Sequence, residues 1–365
     1  MKRIVFGLAV IIGLNGCNEN DPKTEVSDDF DRGAMLINWA DNMIIPAYQD
    51  YTTKLSVLQT TTDAFTTNPN LNNLLDVRTA WSNAYISWQY VSLFEIGKAE
   101  EIALRNYTNI YPADVAGIES NIAEGTYNLE LSSKYDEQGL PALDYLLNGI
   151  GATDEEIISF YTNTNYQTYL NDVVNRMIEL STLVYTDWQE SYRDEFVAND
   201  GSSATSSVNK MVNDYIFYYE RYLRAGKIGI PAGVFSSSTL SASVEGYYKD
   251  DISKQLFLAS LDATKDFFNG KHYGSSTTGE SISSYLDYLN SIKEGTDLSH
   301  LINNQFEVTR AAAELLDDSF ANQIETDNSA MLETYDQLQL NVVLLKVDMP
   351  QALNIRIDYV DADGD

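Results

Sequence analysis

The sequence contains little of what most catalytic sites and nucleic-acid-binding surfaces are built from. Among its 365 residues there is one cysteine, two histidines (His272 and His300) and 23 lysines and arginines together. A single thiol excludes an internal disulfide bond. With 54 acidic residues the formal net charge is −31, and a field of that sign repels nucleic acid. Nucleic-acid-binding proteins are therefore excluded as a class of function.

Familiar catalytic motifs are also missing. The sequence has no HExxH, no GxSxG and no glycine-rich phosphate loop followed by lysine. His272 and His300 are far apart in the chain, so we predict that both are surface residues and not a pair of metal ligands.

The one long apolar run lies at the start of the chain and predicts export. Residues 4–14 follow a short basic segment and are too few to span a bilayer, and Leu14-Asn-Gly-Cys17 looks like a lipobox. We therefore predict a lipoprotein signal peptide at residues 1–16, a lipid-modified Cys17 and a flexible tether at 17–28. An ordinary secretory signal with an unmodified cysteine is the alternative. The prediction places the protein in the cell envelope, held in outer-membrane lipid on its periplasmic or its surface face.

Apolar residues recur at steps of three and four through most of the remaining chain, which predicts helices. Clear stripes begin at Leu36, Leu170 and Met331. Pro46 lies inside the first stripe and predicts a kink, not a stop. Residues 227–244 are rich in glycine and serine and predict a long loop. Because no strand-rich stretch is present, we predict an all-α fold, a two-lobed helical bundle.

A change of composition suggests where the two lobes meet. The segment at 198–207 is short, polar and rich in serine, which is typical of a linker. We predict that it joins an N-terminal helical lobe at 29–197 to a C-terminal helical lobe at 208–365.

Several ionisable residues stand in apolar or glycine-containing surroundings. Asp144 lies in such a stretch, and a buried carboxylate needs a partner, for which Arg105 and Lys227 are candidates. We predict that these residues meet between the lobes, either as a binding site or as an interior salt bridge that joins the two halves. The complete predicted set is Glu95, Arg105, Asp114, Gly139, Pro141, Asp144, Glu220 and Lys227.

The same segments resemble the imelysin family. The GLPALDYLL stretch at 139–147 is similar to the GFHAIEYLL form of that family's GxHxxE motif. Agreement extends to the NWADN opening at 38–49, the helix that contains Trp81 and Trp88, and the closing LLKVDMPQALNI at 344–355. The resemblance implies an all-helical, two-lobed fold with a site between the lobes, in envelope proteins associated with iron uptake.

Founding members of the family are described as metallopeptidases, but this sequence departs from their motif. Pro141 stands where the motif has histidine, and Asp144 stands where it has glutamate. Proline cannot bind a metal, so we assign no catalytic residues. We expect a non-catalytic binding or accessory protein of iron or haem acquisition, with iron or haem as the ligand class. The alternatives are a metal-dependent peptidase of the imelysin type and a protein-interaction module that docks on an outer-membrane transporter.

Overall fold

The computed structural model describes residues 29–359. The predicted signal peptide, Cys17 and the tether at 17–28 therefore lie outside the described residues. Residues 31–359 belong to one compact unit. Its regular structure is almost entirely helical, which confirms the all-α prediction.

The first half of the described chain contains ten α-helices: α1 (Arg32–Ile37), α2 (Ile45–Thr67), α3 (Leu71–Trp88), α4 (Lys98–Glu101), α5 (Leu104–Thr108), α6 (Val115–Glu124), α7 (Gly139–Asp144), α8 (Asp154–Phe160), α9 (Thr164–Asp187) and α10 (Arg193–Ala198). Six follow: α11 (Ser207–Phe217), α12 (Ser253–Phe268), α13 (Ile282–Tyr288), α14 (Leu298–Glu314), α15 (Phe320–Val343) and α16 (Met349–Leu353). The π-helical segments are Asn38–Ile44, Tyr145–Gly149, Trp188–Tyr192, Tyr218–Gly229 and Leu344–Asp348, and the 3-10 segments are Ser132–Glu137 and Ser241–Ser243.

Three of the π-helical segments end two residues before a proline, at Pro46, Pro231 and Pro350. Proline has no amide hydrogen, so the carbonyl four residues earlier loses its donor, and a wider turn relieves the clash. At Pro46 that carbonyl belongs to Asn42, and it accepts a hydrogen bond from the amide of Tyr273 at 2.8 Å. The helical backbone thus continues through Pro46, which confirms the prediction that the proline does not stop the helix.

The core is built on the faces predicted from the apolar stripes. Helix α2 packs against α3 and α9, and α14 packs against α12 and α15. Trp39, Trp81, Trp88 and Trp188 are all fully buried. Burial of one such ring removes about 200 Å² of surface from water, which at about 25 cal/mol per Å² contributes roughly 5 kcal/mol before entropy losses.

The prediction of a loop over residues 227–244 is wrong in its first part. The π-helical segment Tyr218–Gly229 includes Lys227, and irregular structure begins only after it. Leu223 and Ile228 are fully buried, so tertiary packing outweighs the local preference of the glycines. Residues 199–206 do separate α10 from α11, while the division into two lobes at this segment stays a prediction.

One antiparallel hairpin interrupts the helices. Strand β1 (Ile292–Lys293) pairs with β2 (Thr296–Asp297). The two residues between them, Glu294 and Gly295, both have positive φ, at 53° and 82°. This is the backbone conformation that a tight two-residue hairpin turn requires.

Candidate functional site

Arg105 is the centre of a buried charge cluster. Its Nη2 donates to both carboxylate oxygens of Asp214, each at 2.8 Å, and its Nε donates to the carbonyl of Ser92. The carboxylate of Glu95 accepts from the backbone amide of Arg105 at 3.1 and 3.2 Å. We call Glu95, Arg105 and Asp214 the Arg105 cluster. It joins α5 to α11, which are distant in the sequence.

Burial and charge act in opposite directions on these groups. Burial raises the pKa of Glu95 to about 7, although the Arg105 guanidinium lowers it. Burial also raises the pKa of Asp214 against the same guanidinium. The pKa of Arg105 itself is lowered by burial and raised by Asp214 and Glu95, with a net upward shift. The ring of Tyr222 lies 4.9 Å from the guanidinium carbon, a distance at which cation–π attraction contributes.

A pocket of about 320 Å³ begins at this cluster. Its lining carries four carboxylates against one amine, that of Lys210. The rings of Phe217 and Tyr359 form one wall, with their centroids 5.2 Å apart. We call it the Glu95 pocket, and it is lined by Glu95, Ile96, Glu100, Lys210, Asn213, Asp214, Phe217, Asp358 and Tyr359. This excess of carboxylates attracts positively charged groups.

A second buried cluster surrounds Lys227. Its Nζ donates to Oε1 of Gln89 at 2.8 Å and to the carboxylate of Glu245. Glu245 also accepts from the side-chain amides of Gln89 at 3.1 Å and Asn109 at 2.7 Å. We call these four residues the Lys227 cluster. Burial lowers the pKa of Lys227, while Glu245 opposes that shift.

A cavity of about 10 Å³ lies between the two clusters and has both Arg105 and Lys227 in its lining. That volume holds about one water molecule. The indole Nε1 of Trp88, another lining residue, is buried without a hydrogen-bond partner. The two clusters therefore face a common polar interior.

Asp144 has different partners from those predicted. Its carboxylate accepts from the backbone amides of Tyr248 at 2.8 Å and Lys249 at 2.9 Å, and from the side chain of Asn148 at 3.0 Å. No hydrogen bond or ion pair within residues 29–359 joins Asp144 to the two predicted partners, Arg105 and Lys227. Burial raises the pKa of Asp144 to about 7, although these hydrogen bonds lower it. Asp144 thus fastens α7 to the segment that precedes α12.

The neighbours of Asp144 have an architectural role. Gly139 has φ of 77°, and a Cβ at this position would lie 2.2 Å from the carbonyl oxygen of Thr108. Pro141 lies in the first turn of α7, where its missing amide costs little. Pro141 and Asp144 border a small cavity of about 70 Å³. The segment that resembles the family motif therefore fixes the backbone of α7 here.

Two further members of the predicted set lie outside both clusters. Asp114 caps α6, where its carboxylate accepts from the amide of Gly117 at 3.1 Å. Glu220 is buried and accepts from Nζ of Lys346 at 3.1 Å and from the hydroxyl of Tyr359 at 2.7 Å. Because Tyr359 lines the Glu95 pocket, Glu220 is linked to the pocket through that hydroxyl.

The sequence analysis missed two residues on which the clusters depend, Asp214 and Glu245. Asp214 stands in the run MVNDYIFYY, and Glu245 stands between Val244 and Gly246-Tyr-Tyr. Both are acids in apolar surroundings, the same signal by which Asp144 was selected. Applied evenly, that criterion selects Asp214 and Glu245 as candidate buried acids, although it does not assign either of them to a cation.

The described residues do not provide a set of ligands for a bare metal ion. Within 29–359, no three His, Cys, Asp or Glu side chains are grouped so that they could hold one. His300 is exposed in the first turn of α14, and His272 is partly exposed in a loop. Because the oxygens of Asp144 are engaged by backbone amides, the ligand set of a zinc peptidase does not fit at the motif position. Among the helices of the described chain, none has the length and apolar character needed to cross a bilayer.

The fold agrees with that of known proteins. A family model described as imelysin matches residues 44–346. A crystal structure titled a putative iron-regulated protein A precursor, from Parabacteroides distasonis ATCC 8503, is 19% identical with a TM-score of 0.71, over 87% of this chain and 95% of that one. An imelysin-like protein from Psychrobacter arcticum 273-4 is 17% identical with a TM-score of 0.70, over 90% of this chain and 97% of that one. At these identities the likeness establishes the fold. No curated protein matches the chain.

Proposed function

Because the chain belongs to the imelysin family, we propose that it is a non-catalytic accessory protein of iron or haem acquisition that receives its ligand in the Glu95 pocket. The observation that carries this proposal is the pocket itself, an opening of about 320 Å³ with four carboxylates in its lining and a buried ion pair at its side. The name of the Parabacteroides protein, iron-regulated, supports the connection with iron.

The lining favours a particular class of ligand. Carboxylates and phenol oxygens are hard donors suited to ferric iron, and Asp358 and Tyr359 both face the pocket. The described side chains do not hold a bare ion, so we propose a ferric complex that brings ligands of its own. The anionic propionates of haem are repelled by the same carboxylates, which makes a complex of positive charge the better fit.

Attachment to the envelope is part of the proposal. It rests on the basic start, the apolar run at 4–14 and the lipobox-like residues that end at Cys17. A lipid anchor would keep the Glu95 pocket close to a membrane-bound uptake system without a spanning helix.

Calorimetric titration of the purified full-length protein, with a cationic ferric chelate and with haem separately, tests the proposal. At about pH 8, above the pKa of about 7 of Glu95, we expect the ferric chelate to bind, and Glu95→Gln with Asp358→Asn to weaken binding about tenfold or more through the loss of two charges. The matched control is Glu333→Gln, an exposed acid on α15 outside the pocket, which should leave binding unchanged. If neither compound binds, or if all variants bind alike, the pocket is not the ligand site.

A second candidate function is a protein-interaction module that docks on an outer-membrane transporter. It is favoured by the internal pairing of the central charges. Asp214 neutralises Arg105, and Glu245 neutralises Lys227, with all four side chains at most 11% exposed. Charges satisfied in this way hold the helices together and leave recognition to the molecular surface.

A further inference from the structure

A groove of about 590 Å³ runs along the surface of α9 and the π-helical turn that follows it. We call it the α9 groove. Its lining includes Ile178, Thr182, Thr186 and Glu190, which follow one another at four-residue steps. Lys98, at the start of α4, also lines it. The groove shares no lining residue with the Glu95 pocket, and the inference drawn from it goes beyond ligand binding there.

The shape of the groove suits another helix. A second row of residues, among them Leu183 and Asp187, runs parallel to the first at the same spacing. Rows of residues four apart form the ridges and grooves through which helices pack against each other. The rows extend over about 18 Å, from residue 178 to residue 190, at the rise of an α-helix. The threonines at 182 and 186 are small, so a side chain of a partner helix can sit between the rows.

The α9 groove combines exposed apolar side chains with carboxylates in its lining. Leu183 is 48% exposed, and Ile178 is partly exposed beside it. Three carboxylates line the groove, those of Glu179, Asp187 and Glu190, against the single amine of Lys98.

Nearby ion pairs reduce this excess of carboxylates but do not cancel it. Glu179 pairs with Arg176 at 2.8 Å. Lys98 in turn pairs with Glu101, so its charge is already taken by a carboxylate outside the groove. The carboxylate of Asp187 accepts a hydrogen bond from the neutral hydroxyl of Ser191 at 2.8 Å. The groove therefore complements apolar residues flanked by positive charges.

We propose that the α9 groove is a docking surface for a basic amphipathic helix of a partner protein. Charge complementarity selects this occupant. A second copy of the chain carries the same net charge of −31 and is repelled. In a helix with leucines on one face and lysines or arginines beside them, the leucines can pack on the apolar residues of the groove while the basic side chains lie near its carboxylates.

The test uses the full-length protein and a fluorescent synthetic peptide of about 15 residues, long enough for four helical turns. The peptide carries leucine at steps of three and four and lysine on both flanks. Two comparison peptides keep either the leucines with glutamate in place of lysine, or the lysines with serine in place of leucine. We expect anisotropy to show binding of the first peptide alone, weakened by added salt.

Variants locate the binding. Leu183→Asp should weaken it about tenfold or more, since an apolar contact is replaced by a charge, and Glu190→Lys should weaken it about threefold or more and reduce the salt dependence. The matched controls are Leu75→Asp on α3, where the leucine is 47% exposed, and Glu333→Lys on α15. Both controls should bind as the wild type does.

Three results would overturn the proposal. Equal binding of the lysine–serine peptide would show attraction by net charge alone. Equal weakening by Leu75→Asp or Glu333→Lys would place the contact elsewhere. Self-association in sedimentation experiments that Leu183→Asp abolishes would make a second copy the occupant. Circular dichroism of each variant confirms that the fold is retained.

Discussion

The two buried charge clusters are each built around one pair of a cation and a carboxylate, but they differ in their surroundings. In each, a buried cation meets a carboxylate from another part of the chain, 109 residues away for Arg105 and Asp214 and 18 residues away for Lys227 and Glu245. The Lys227–Glu245 pair is sealed, with side chains 4% and 3% exposed. The Arg105–Asp214 pair borders the Glu95 pocket, and its acids Asp214 and Glu95 are 11% and 16% exposed.

The two pairs therefore differ in access to solvent and not in charge, and only the pair at the pocket belongs to the proposed site. A fully buried ion pair favours the native packing of the helices, because other packings are destabilised by a buried charge without its partner. A pair at the edge of a pocket can exchange part of its bonding with water or with a ligand. Only the Arg105 cluster is placed to do so, since its acids line an opening of about 320 Å³.

The largest effect should come from breaking the sealed pair. Lys227→Met leaves the carboxylate of Glu245 buried without its cation, which should lower the free energy of unfolding by about 4 kcal/mol. Urea denaturation measures this loss. Lys227→Met combined with Glu245→Gln should recover at least half of it, because the uncompensated charge is removed. If the double variant is no more stable than the single one, the cost arises from packing and not from charge.

A smaller loss should follow at the pocket. Arg105→Met should lower the free energy of unfolding by about 2 kcal/mol, because water from the Glu95 pocket can solvate the carboxylate of Asp214. The control is Arg193→Met, which removes a surface pair with Asp41 and should cost less than about 1 kcal/mol. Equal losses for Arg105→Met and Lys227→Met in the same denaturation experiment would remove the distinction between the two clusters.

The smallest effect concerns pH. Burial raises the pKa of Glu95 to about 7 from its ordinary value of 4.5, so between these two values the folded state binds a proton that the unfolded state has lost. Stability is therefore lost as the pH rises through 7, by about 1.4 kcal/mol between roughly pH 6 and pH 8 for one such group. Asp144 should contribute a similar fall, since its pKa is also raised to about 7.

Glu95→Gln separates these two contributions. In urea denaturation at several pH values, stability of this variant should no longer show the fall with pH that Glu95 contributes. The fall that Asp144 contributes should remain. An unchanged pH dependence in Glu95→Gln would show that Glu95 is ionised in the folded protein throughout this range.

The local pattern of the sequence predicted the helices well and their polar contacts poorly. Apolar stripes located α2, α9 and α15 because a helix that buries one face has apolar residues at regular spacing. The pairing of buried charges has no regular spacing in the sequence. Arg105 and Lys227 were predicted as candidate partners of Asp144, but they pair with Asp214 and Glu245 instead. Which acid meets which cation depends on tertiary contacts between segments that are separated in the sequence, and local spacing does not contain this information.

The segment at 199–206 has a consequence for the integrity of the molecule. It is exposed almost throughout, whereas the bonds of Arg105 with Asp214, Gln89 with Lys227, and Asp144 with the amide of Tyr248 all connect residues before it to residues after it. A protease that cuts there would separate the covalent chain without separating these contacts. The two fragments should therefore remain associated after the cut, as the two subunits of a heterodimer do.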